Sequence, residues 1–89
     1  MIAPELTEKI AEQVEQEGLD ESMISRLRQT YTKIHFTYCM DDDINTQASP
    51  VLERSNFNIY LVDGRHHCLC LTTDHDVASG LVLAEIIEE

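Results

Sequence analysis

The sequence predicts an α+β fold, in which a helical hairpin packs on an antiparallel sheet of three or four strands with a β-hairpin at its centre. Three observations predict it. Apolar residues recur every fourth position through the opening residues, the spacing changes to every second position at Lys33, and two alternating runs flank Asp63-Gly64. At 89 residues the chain supports one domain with a single modest core. Residues 1–32 supply the helices and residues 33–89 the sheet, interrupted by a loop at 41–55.

The first helix follows from Leu6, Ile10 and Val14, which form one stripe with Ala3 and Ala11 beside it and glutamates opposite. Pro4 suits the first helical position, where its missing N–H costs nothing, and Gly18 suits the left-handed residue that ends a helix. A second helix starts with Asp20 as N-cap and continues through Met23, Leu27 and Tyr31, with Leu19 placed to pack on Ile24. So short a connection makes the two helices a hairpin.

Lys33 to Met40 places Ile34, Phe36, Tyr38 and Met40 on one side and His35, Thr37 and Cys39 on the other, which is a strand. Asp41 to Ser55 breaks the pattern with Asp, Asn, Gln, Ser and a proline, and loops of this length are uncommon in compact domains and are often binding elements or disordered segments. Phe57 to Thr72 then reads as a hairpin about a two-residue type I′ turn at Asp63-Gly64. That turn pairs Val62 with Arg65, Tyr60 with His67 and Ile59 with Cys68. Leu81 to Ile87 reads as a last strand, with a short helix as the alternative.

The turn assigns faces as well as partners. One face carries Phe57, Ile59, Leu61, His66, Cys68 and Cys70, and the other Asn58, Tyr60, Val62, His67, Leu69 and Leu71. Both faces are apolar, so helices on one of them leave the second in need of a cover: the last segment, the long loop, a second copy or a partner.

Seventeen acidic against six basic side chains give a formal charge of −11, which repels phosphate backbones and acidic membrane surfaces. Nucleic acid and membrane are thereby excluded as partners, and the acidity reads first as a solvated surface and second as a face for a protein partner with a basic surface. No apolar run approaches the roughly 20 residues of a membrane span, and M-I-A-P-E-L-T-E-K lacks the layout of a signal peptide. Three cysteines, two of them one residue apart, do not make a disulfide framework, so the expected compartment is the cytoplasm.

The residues able to do chemistry are weighed against that layout. A transition metal ion on His66, Cys68 and Cys70, with Cys39 or His75, is the alternative reading, because histidine and cysteine are its usual ligands. Against it, alternate residues of an extended strand lie about 6.6 Å apart, and His66 and His67 point to opposite faces. Cys68 and Cys70 among apolar neighbours read as core thiols. A thiol enzyme using Cys68 or Cys39 lacks the positive charge that would lower a thiol pKa. Asp41, Asp43 and Asn45 imitate the start of a calcium loop, but Thr46 stands where glycine is needed and Leu52 where the bidentate glutamate belongs.

Four segments resemble a family of small, acidic, uncharacterised bacterial proteins associated with nitrogen-fixation gene clusters: H-F-T-Y-C-M-D-D-D at 35–43, F-N-I-Y-L-V-D-G at 57–64, H-C-L-C-L-T at 67–72 and A-S-G-L-V-L-A-E at 78–85. The resemblance implies an accessory role near nitrogenase assembly or protection and carries no catalytic residues over. The sequence reading is therefore a non-enzymatic accessory or adaptor protein without a cofactor. Its contact surface is Tyr60, His67, Leu69 and Leu71, with Asp41, Asp42 and Asp43 as an acidic rim, facing a protein partner or a second copy in a homodimer.

Overall fold

The computed structural model describes residues 2–44, 49–64 and 70–86, with the side chains of Asp43 and Cys70 outside the description. Its first helix, α1 (Pro4–Glu17), opens after Ala3 in extended backbone and closes at Gly18. There φ is +93° with ψ at 154°, a region open essentially to glycine alone, and the Gly18 N–H reaches the Val14 carbonyl at 2.7 Å. Thr7, Ile10, Ala11 and Val14 are the buried face. Helix α2 (Glu21–Thr30) is started by Asp20, whose carboxylate accepts from the Met23 N–H at 2.8 Å. It buries Met23, Ile24 and Leu27, and an Arg26–Glu17 ion pair bridges the two helices.

Five strands follow: β1 (His35–Met40), β2 (Leu52–Glu53), β3 (Phe57–Asp63), β4 (Cys70–Thr72) and β5 (Gly80–Glu85). The fold is α+β, with helices packed on a sheet. The sheet is mixed, because β5 lies between β1, to which it is parallel, and β3, to which it is antiparallel. The other edge of β3 is divided, with β2 opposite Asn58 and Ile59 and β4 opposite Leu61, Val62 and Asp63.

That division corrects the register expected for the hairpin. Val62 lies opposite Leu71 rather than Arg65, and Asp63 opposite Cys70. Asp63 belongs to β3 and has no positive φ, which a type I′ turn at Asp63-Gly64 requires of both residues. The physical reason is competition for one edge: β2 holds Asn58 and Ile59, which the tight hairpin would have given to Leu69 and Cys68. From Arg65 to Leu71 the displacement is an even number of positions, so Leu71 stays on the face of Tyr60 and Val62. His66, His67, Cys68 and Leu69, on which the pairing and most of the cysteine reading fell, lie outside the described residues. The strand-spacing objection to a metal on His66, Cys68 and Cys70 likewise rests on residues and a side chain outside the description.

The larger core lies between helices and sheet, where Ile10, Val14, Met23 and Leu27 meet Phe57, Ile59, Leu61, Leu81 and Leu83. Tyr31 closes one side, its ring tilted against Phe36 at 6.3 Å between centroids. On the second face Tyr60, Val62, Val82 and Ala84 are buried with Cys39 and Ile44 against them. Of the covers that the sequence left open, the long loop supplies this one through its first turn, a 3-10 turn at Asp41–Asp43 leading to Ile44. The N-terminal segment is held by Ile2, whose N–H donates to the His75 carbonyl at 3.0 Å while His75 Nδ1 donates to the Ile2 carbonyl at 2.9 Å. Among the described residues no helix is long and apolar enough to cross a membrane.

Candidate functional site

The chain leaves β1 at Met40 and turns at once across the second sheet face, where the first aspartate of the acidic run is used internally. Asp41 Oδ1 accepts from the Tyr60 hydroxyl at 3.0 Å and from Asn58 Nδ2 at 3.1 Å. Asn58 and Tyr60 are alternate residues of β3 and share a face, so one carboxylate serves both. Burial pushes the Tyr60 phenol up from 10.0, and the hydrogen bond and negative charge of Asp41 add to it. Tyr38 is raised for the same kinds of reason, burial first and then Glu85, whose Oε1 accepts from its hydroxyl at 3.0 Å.

These two phenols set an alkaline limit on the fold. Their folded pKa values exceed the unfolded value of 10.0, so the folded state holds protons that the unfolded chain releases. Stability present below pH 10.0 is lost as pH rises through the raised values. In an absorbance titration of phenolate, Tyr38 and Tyr60 should ionise above 10.0, and Tyr60→Phe should remove one of those late steps. Ionisation of both groups at 10.0 in the native protein would contradict the burial.

The residues expected to form the contact surface separate into distinct environments. Tyr60 is 4 % exposed, so it lies inside the fold, and Asp41 is half-buried beneath the turn it anchors. Asp42 is exposed. Leu71 is 38 % exposed, the large hydrophobic side chain open to solvent among the described residues, and it shares the sheet face that the acidic turn covers. His67, Leu69 and the side chain of Asp43 lie outside the described residues, as do His66, Cys68 and the side chain of Cys70 for the metal alternative. Among the described residues no group of three or more His, Cys, Asp or Glu is placed to hold a metal ion.

A second feature, which the sequence reading missed, runs along the outer edge of β1. No described strand pairs with that edge, and α2 lies beside it in the opposite direction, with Arg28 near Phe36 and Glu21 near Tyr38. Three clefts of about 470, 420 and 550 Å³ adjoin one another in a strip through shared lining residues, and the first also reaches past β1 to Val62 and Ser79. Arg28 and Thr37 join the first cleft to the second, and Glu21 and Tyr38 join the second to the third. Arg28 Nη2 donates to the Phe36 carbonyl at 2.9 Å, capping one acceptor of the edge. No local pattern in α2 announces that contact, because its acceptor belongs to a different element.

No curated protein and no solved structure matches the chain. A family model matches residues 9–86, nearly the whole described fold, and the chain belongs to that family, a family of unknown function (DUF6129).

Proposed function

We propose that the protein is a non-enzymatic accessory protein of the cytoplasm, which works by holding a partner with a basic surface. The observation that carries this reading is the juxtaposition on one sheet face of exposed Leu71 and the acidic turn fastened by Asp41. An exposed aliphatic side chain beside fixed negative charge favours a partner that offers an apolar contact ringed by lysine or arginine. The net charge of −11 adds long-range attraction for such a partner and repels nucleic acid. The resemblance to proteins of nitrogen-fixation clusters directs the search for it to nitrogenase assembly and protection.

The test compares what wild-type, Leu71→Ser and Asp42→Lys baits capture from the native host, followed by titration calorimetry with the purified captured protein. Burial of one leucine is worth about 1.5–3 kcal/mol, so Leu71→Ser should weaken binding by roughly tenfold or more. Its urea unfolding should stay cooperative and within about 0.5 kcal/mol of wild type, as befits a surface substitution. Equal affinity of wild type and both variants would remove this face as the contact.

A further inference from the structure

We infer that the edge of β1 left without a strand among the described residues pairs with β1 of a second copy, extending the sheet across a two-fold axis near Tyr38. This surface is separate from the Leu71 face and does not depend on the partner proposed there. The first support is the direction of the backbone groups. His35 donates its N–H to Ser79 ahead of β5, and residues of a parallel strand alternate in the side to which they point. Phe36, Tyr38 and Met40 therefore aim outward, as the Arg28 contact with the Phe36 carbonyl independently requires.

The second support is charge and size along the strip. Helix α2 lines it with Glu21, Ser25 and Arg28, a sequence of acid, small residue and base that runs antiparallel to β1. A two-fold axis reverses that order in the second copy. Arg28 of each copy then meets Glu21 of the other, and the two Ser25 residues face each other across the axis, where a small side chain allows the helices to approach. A surface that is complementary to itself under this operation is what an isologous dimer needs. Charge complementarity of this kind selects a second copy over an unrelated strand, for which acid and base at opposite ends have no special fit.

The third support is an exchange of hydrogen bonds. With Tyr38 opposite Tyr38 of the second copy, each donates its N–H to the other's carbonyl, and the Met40 N–H reaches the Phe36 carbonyl of the second copy. That carbonyl is the acceptor Arg28 holds in the single chain. Pairing supplies it with a backbone donor and releases the guanidinium to Glu21 across the interface, so Arg28 caps the edge of the monomer and pairs across the dimer.

The experiment is sedimentation velocity with native mass spectrometry on the full chain at about 0.15 M salt, where the repulsion between two acidic molecules is screened beyond about 8 Å. Wild type should be dimeric in the micromolar range. Arg28→Glu and Glu21→Arg should each raise the dimer dissociation constant about tenfold or more, and the double variant should return it to within about threefold of wild type. Amide exchange at Tyr38 should slow as the wild-type concentration rises. Urea unfolding of each variant checks that it remains folded, so that lost assembly is not lost structure. A wild type that stays monomeric at 200 µM would overturn the inference, and so would a dimer that both single variants leave unchanged or that the charge swap fails to restore.

Discussion

Gly80→Ala should destabilise the protein by about 2 kcal/mol, within the range for forcing extra atoms into a packed site, and lower Tm by roughly 10 °C for a domain of this size. A Cβ at position 80 would stand 2.8 Å from the His35 carbonyl oxygen and 3.0 Å from its Cβ. The nearer of these is backbone, which cannot turn aside as a flexible side chain does. Gly80 and His35 face each other at the start of the parallel β1–β5 pairing, so relief requires the two strands to separate there. The stability loss should come with faster amide exchange along β1, measured by mass spectrometry or NMR, while α1 keeps its wild-type protection relative to global unfolding. A variant as stable as wild type would mean that β1 and β5 approach less closely than described.

Asp41→Ala is the second large expected effect, again about 2 kcal/mol, because it leaves the Tyr60 hydroxyl and the Asn58 amide without their acceptor. Tyr60 is nearly inaccessible, so water cannot easily replace the carboxylate. The diagnostic is a double-mutant cycle read by urea unfolding. Tyr60→Phe removes the hydroxyl that would be stranded, so the double variant should be more stable than the sum of the single losses by about 1 kcal/mol. Simple additivity would show that Asp41 and Tyr60 are not coupled and that the turn is held over the sheet by Ile44 packing instead.

What could be read from the sequence was local. Pro4, Gly18 and Asp20 mark helix ends through their own backbone chemistry and their nearest neighbours; Pro4 and Asp20 sit where that chemistry places them, and Gly18 ends its helix with a positive φ but with a ψ of 154°, outside the left-handed helical region. The period-two pattern of H-F-T-Y-C-M likewise made β1 legible, and the last apolar run is a strand. The register of the hairpin was not legible, because it depends on which segment occupies the edge of β3, and β2 lies in a loop without a strand pattern. Nor was the parallel pairing of β1 with β5, although G-L-V-L-A carried the signal: an apolar run without alternation is buried on both faces, hence central. The candidate site divides in the same way. Leu71 kept its face through the change of register, whereas the burial of Tyr60 required knowing that an aspartate from another element would reach it.

The position of β5 also bears on how the molecule reaches its native state. His35 pairs with Gly80, and β2, β3 and β4 all lie between them in the chain. During vectorial synthesis β1 therefore emerges long before its only described strand partner, and until β5 arrives neither side of β1 has a ladder. The helices and the β3–β4 pair can form early from nearby contacts, but the sheet closes in a single late step that inserts one strand between two others. Closure must wait for a contact distant in sequence, which predicts slow, cooperative refolding and a nascent chain whose exposed β1 is the segment a chaperone would need to shield.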